Sequence, residues 1–145
     1  MIGLIQIVNS ASVAINETVV SSINKGMLLL LGVEQSDTDI EIAKMAKKVA
    51  NMRVFPDENG KTNLSLSDID GELLVVSQFT LLASLEKGNR PGFSNAGSPE
   101  SSKKIYQAFL THFEHNYGPC KQGQFGADMN VSLVNNGPAT YYLKI

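Results

Sequence analysis

Apolar positions along the chain fall into three rhythms, and each predicts a kind of element. Residues 2–8 carry Ile, Leu and Val around Gln6 and read as a strand. Residues 11–15 and 18–23 flank Asn16-Glu17, which predicts a hairpin. Gly26 leads into Met27-Leu28-Leu29-Leu30-Leu31, a continuous apolar run of buried-strand length. The rhythm then changes to helical. Thr38 and Glu41 have capping-box spacing, and Ile42, Met45, Ala46, Val49 and Met52 follow at helical intervals. Lys44, Lys47 and Lys48 fall on the opposite side.

Val54-Phe55 predicts a short strand, ended by Pro56 and the turn Asp57-Glu58-Asn59-Gly60. Residues 63–70 read as irregular. Leu73 to Phe79 is apolar on both faces and predicts a central strand. Residues 84–98 form a long polar loop of the sort that tends to carry function. Ser98 as N-cap and Pro99 at the first helical position open a second helix. It turns Ile105, Phe109 and Phe113 inward and stops near Gly118-Pro119. Two strands, 127–134 and 139–143, are expected to close the chain, joined by an Asn135-Asn136-Gly137-Pro138 corner. The expected fold is α+β: a curved, mostly antiparallel sheet or barrel packed with two main helices, in one domain spanning 1–145.

Composition narrows this only a little. At 145 residues the chain is long enough for one core and too short for two ordinary domains. No secretory signal is read at the N-terminus, and residues 27–33 are too short to span a bilayer, so no membrane partner is expected. Cys120 is the only cysteine, which excludes an internal disulfide and favours a reducing, cytoplasmic setting. The net charge of −2 gives no general argument for nucleic-acid binding, so any RNA contact must use a local patch. Lys44/Lys47/Lys48/Arg53, Lys87/Arg90 and Lys103/Lys104 are the clusters that could supply one, or they are solvated helix faces.

The usual catalytic parts are sparse. His112 and His115 flank Glu114 without a third ligand nearby, so no metal is expected. No phosphate loop, dinucleotide fingerprint or nucleophile elbow is present, and no cofactor is expected. What stands out is a set of polar groups ending the apolar strand: Ser77, Gln78 and Thr80 around Phe79. They either satisfy backbone at a strand end or face a ligand, with backbone N–H groups and the Ser77 hydroxyl aimed at an oxyanion. Gly137-Pro138 is the second unusual feature. It makes a stiff corner with two carbonyls and no obstructing side chain, either a plain turn or a wall beside a ligand.

Ser77-Gln78-Phe79-Thr80-Leu81 together with Asn135-x-Gly137-Pro138-x-Thr140 resembles the D-aminoacyl-tRNA deacylase family. Leu31-Gly32-Val33, Asn63-Leu64-Ser65, residues 71–76, Arg90-Pro91-x-Phe93 and residues 125–129 extend the likeness over the whole chain. The chain departs from the family at Ile7, where Arg is frequent. Ala139 replaces the common Val or Ile, and Gly92 a common Ser.

The resemblance implies hydrolysis of the ester joining a D-amino acid to the terminal adenosine of tRNA. It implies a homodimer in which Gly137-Pro138, with a cis peptide bond, enters the other subunit's site and rejects L-residues. D-residues, and glycine mischarged on tRNA(Ala), would pass. It further implies Ser77, Gln78, Phe79 and Thr80 as the catalytic segment, with the tRNA 2′-hydroxyl assisting. Gly137, Pro138, Asn135, Thr140, Phe125 and Met129 would shape the substrate site. Other readings are a non-catalytic RNA-binding module, an achiral editor with a trans Gly-Pro bond, and a small-molecule esterase.

Overall fold

The computed structural model describes residues 1–86 and 88–145; Lys87 of the second cationic cluster lies outside the described residues. The chain runs β1 (Ile2–Ile15), β2 (Thr18–Ile23), β3 (Gly26–Gly32), α1 (Asp39–Asn51), β4 (Phe55–Pro56), β5 (Thr62–Leu64), β6 (Glu72–Ser77), a 3-10 turn (Phe79–Leu82), α2 (Pro99–Tyr117), β7 (Lys121–Gln122) and β8 (Asn130–Lys144).

β1 is the spine. On one side it pairs antiparallel with β2 and then β3, and on the other with β8. Asn16 and Glu17 turn the β1–β2 hairpin with positive φ values of 48° and 65°, the backbone of a primed turn. β3–α1–β6 is a crossover that lays β6 parallel to β3, and β7 adds in parallel beyond it. The sheet is mostly antiparallel, as expected, with parallel pairings only at β3–β6 and β6–β7, where the helical connections bring strands back in the same direction. It curls until β2 meets the far edge. There the Lys121 Nζ donates to the Ser22 carbonyl at 2.7 Å and pairs with Glu72 at 3.1 Å.

Alternation along the strands produces two cores. Ile5, Ile7, Met27, Leu29, Leu31, Leu73 and Val75 face α1 and α2. Val8, Ala11, Val13, Leu28, Leu74 and Val76 fill the inside of the curl. Both faces of β3 and β6 are thus buried, as their unbroken apolar runs require. Gly26 permits the closest approach: a Cβ there would lie 1.9 Å from the Glu72 carbonyl oxygen.

Both helices begin as read. Thr38 and Glu41 form the full capping box of α1, and Ser98 accepts from Ser101 N with Pro99 in the first turn of α2. Three expectations change. The segment read as irregular from Asn63 begins inside a strand, because Thr62–Leu64 pairs with β4. The central strand stops at Ser77, and Phe79 belongs to the 3-10 turn. The two closing strands are one, β8, which starts at Asn130 and pairs with β1 on both sides of Gly137-Pro138. Gly137-Pro138 is a bulge inside that strand, not a hairpin corner. Asn136 to Ala139 lie opposite the single residue Ile7, between the pairs Val8–Asn135 and Gln6–Thr140.

Candidate active site

Where β6 ends, the sheet opens into a cleft of about 630 Å³, a volume suited to a small ligand. Three walls surround it. One is the strand end Ser77-Gln78-Phe79. The second is the turn Phe125 to Met129. The third is Phe93, Ala96 and Gly97 with Pro99 and Ser102 at the start of α2. Leu31, Val33, Val76 and Val131 make an apolar floor.

Each wall has a physical anchor. Gln78 N donates to the Leu31 carbonyl at 2.8 Å, which extends the β3–β6 ladder one residue past the strand. The chain then tightens into the 3-10 turn, whose opening residues Phe79 and Thr80 have N–H groups without partners inside the turn. The Gln78 Nε2 donates to the Thr80 Oγ1, so the Thr80 hydroxyl keeps its own proton to give. Phe79 is 60% exposed and leans on Phe93, with ring centroids 5.0 Å apart. The Phe93 loop is pinned by the Ser84–Gly92 pair of backbone bonds, and it is tied to the segment after β3 by Gln35 N to the Asn95 carbonyl and Gly97 N to the Val33 carbonyl. Behind it, the Met1 nitrogen donates to Glu34 at 2.8 Å and Asp37 at 2.5 Å. That hydrogen bond, more than any other influence, holds the Glu34 carboxyl below its ordinary pKa, against the opposing effect of burial.

The cleft therefore brings together Ser77, Gln78, Phe79, Phe125 and Met129. Thr80 is exposed beside it, joined through Gln78. Asn135, Gly137, Pro138 and Thr140 do not line it. They lie on β8, three strand spacings from β6, which is about 14 Å across the sheet. The Gly137-Pro138 bond is cis, and Gly137 has a φ of +144° that disfavours any residue with a Cβ. The Asn135 side chain clamps this bulge. Its Oδ1 accepts from Ala139 N at 3.0 Å, and its Nδ2 donates to the Ala139 carbonyl at 3.0 Å and the Ile7 carbonyl at 3.1 Å. Both amide hydrogens are thus committed to backbone, which leaves Asn135 to hold the bulge rather than to touch a ligand.

Ile7 and Ala139, the departures nearest the bulge, are accounted for: Ile7 is buried in the helix-facing core, and Ala139 packs partly buried against it. Among the described residues no group of His, Cys, Asp and Glu could hold a metal ion. Among the described residues no helix is long and apolar enough to cross a membrane. The Cys120 thiol is pushed up to about 12, mainly by burial and then by Glu114, which keeps it protonated near neutral pH. Phe93 and Gly97 fall in the long polar loop that the sequence marks as functional, though no local signal singles them out, and Ser102 is a cleft residue that no sequence signal discloses.

A mixed, curled sheet carrying two helices, with a cleft at a strand end edged by hydroxyl, amide and aromatic groups, defines a class of small α+β proteins with known members. A solved structure described as a c-Myc DNA unwinding element binding protein superposes with a TM-score of 0.96 at 40% identity, covering 100% of this chain and 99% of that one. Another, described as a probable eukaryotic D-amino acid tRNA deacylase, shares the fold with a TM-score of 0.84 at 14% identity over 99% of this chain and 98% of its own. A family profile described as D-Tyr-tRNA(Tyr) deacylase matches residues 4–144. Relatives named D-aminoacyl-tRNA deacylase from Alteromonas mediterranea and Shewanella amazonensis are 50% and 49% identical over 100% of both chains. The chain belongs to the D-Tyr-tRNA(Tyr) deacylase family, and it is an enzyme with D-aminoacyl-tRNA deacylase activity.

Proposed function

We propose that the cleft binds the aminoacylated terminal adenosine of tRNA and that Gly137-Pro138 of a second protomer completes it. The observation that carries this reading is a separation. The polar strand end that could support ester hydrolysis lies some three strands from an exposed, glycine-dependent corner. In a homodimer the corner of one protomer enters the cleft of the other. Its carbonyls accept the substrate α-ammonium and occupy the space that an L-side chain needs. A D-side chain points away and passes, as does glycine, including glycine mischarged on tRNA(Ala). Selection then works by excluding the competitor rather than by recognising the side chain.

Little chemistry is left for the protein, because an aminoacyl ester is already labile. The terminal ribose 2′-hydroxyl assists attack by water, and the N–H groups of Phe79 and Thr80 steady the oxyanion. Thr80 positions rather than attacks: among the described residues no base is hydrogen-bonded to it, and Gln78 occupies its oxygen as a donor. Phe125 and Met129 bear on the adenine or the ester.

Mixed dimers test the arrangement. Gly137→Ala spoils only the corner, and Phe79→Ala only the cleft. Mixing the two proteins should restore one intact site per heterodimer and recover D-Tyr-tRNA hydrolysis well above either parent. Verified heterodimers without recovery would sink the shared site. Rates on D-Tyr-tRNA, glycyl-tRNA and L-Tyr-tRNA should fall in the order D and glycyl fast, L negligible.

A further inference from the structure

The three walls of the cleft come from distant parts of the chain, yet one buried side chain, on the helix that opens the third, touches the other two. Tyr106 is on α2, one turn beyond Ser102 of the third wall, and is only 1% exposed. Its hydroxyl donates to the Val75 carbonyl at 3.0 Å, two residues before Ser77 on the first wall. Its ring packs against Phe125 of the second wall, centroids 5.7 Å apart at 49°. The Val75 carbonyl also accepts from Gly123 N at 2.9 Å, which joins the second wall to the first at the same atom. We infer that Tyr106 is a positioning residue for D-aminoacyl-tRNA hydrolysis: it sets the width of the cleft by fixing the Phe125–Met129 wall against the end of β6. The inference rests on the cleft being the substrate site. Burial drives the Tyr106 phenol well above its ordinary pKa, so it stays protonated and takes no part in proton transfer.

The geometry separates positioning from plain stability. Tyr106→Phe keeps the ring and leaves the Val75 carbonyl its bond from Gly123, so no buried acceptor is orphaned and melting should move little. What changes is the hold on the Phe125 wall, which meets ground state and transition state alike. With D-Tyr-tRNA as substrate, Tyr106→Phe should raise KM roughly fivefold while kcat stays within about twofold. In a Phe125→Ala background the same change should have no further effect on KM, because the wall through which it acts is gone. A lowered melting temperature with KM unchanged, or equal KM effects with and without Phe125, would overturn the positioning role. Ala127→Trp, which fills the cleft with an indole, separates the two levels. If that variant is inactive, a failed Tyr106 result counts against Tyr106 alone. If it turns over normally, the cleft reading falls and this inference with it.

Discussion

The cleft and the Gly137-Pro138 bulge are built in opposite ways. The cleft is assembled from segments far apart in sequence, cross-braced by backbone bonds between loops and by Tyr106 below. The bulge is assembled almost entirely from one pentapeptide, held by the Asn135 side chain to its own neighbour Ala139 and, at one point, to Ile7. Damage to the cleft is therefore spread over many contacts, whereas damage to the bulge is concentrated on two residues.

The strongest challenge to that contrast is Gly137→Ala. A Cβ there would lie 2.6 Å from Ala139 N on a backbone with φ of +144°, so the corner must move. D-Tyr-tRNA hydrolysis should fall by about 100-fold or more, since an ångström of misplacement suffices for that. The melting temperature should fall by only a few degrees, because the site is an exposed edge. A normal rate would show that the corner tolerates displacement. Next is Asn135→Ala, which removes three hydrogen bonds, each worth about 1 kcal/mol. Hydrolysis should drop roughly tenfold, with a measurable loss in urea midpoint. Retained activity would mean that the β8 ladder alone sets the bulge.

Thr80→Ala probes the cleft side, where redundancy predicts a milder loss, under about tenfold. Mass spectrometry of quenched reactions should find no aminoacyl adduct on either protein; an adduct on Thr80 would make it the nucleophile.

The smallest effect is on acid stability. Asn24 N–H, first, and Lys121 hold the Glu72 carboxyl below its ordinary value of 4.5. A carboxylate depressed on folding binds fewer protons than in the unfolded chain. Its stabilisation is complete above pH 4.5 and fades as pH falls through the lower folded value. Glu72→Gln should therefore lose melting temperature near neutrality and converge with the parent in acid. A gap that widens as pH falls would reverse the sign.

How much was legible in the sequence follows the same divide. Helix starts are local statements, and Thr38, Glu41, Ser98 and Pro99 declare them within four residues. The apolar runs of β3 and β6 reveal burial on both faces. The direction of each strand is not local: the mostly antiparallel sheet was legible from the short connections, but its parallel part, β3–β6–β7, depends on the helical crossovers. β7 is two exposed polar residues held by pairing with β6, and nothing in Lys121-Gln122 announces a strand. β8 read as two strands because a proline usually ends a ladder, and only the partner strand shows that the ladder resumes. Of the site, Ser77 to Phe79 were visible as polar groups ending an apolar strand. The 84–98 loop was visible as a whole, but its contribution of Phe93 and Gly97, and that of Ser102, was hidden, because only tertiary packing brings them to the same opening.

The bulge carries one more consequence. On either side of it β8 resumes its pairing with β1, so the four residues from Asn136 to Ala139 are spliced into a ladder that closes without them. A sequence of different length or composition could be grafted there while the flanking rungs stayed zipped. Selection acting on the corner is thus partly released from selection acting on whether the chain folds, and the fold can carry a different corner without being rebuilt.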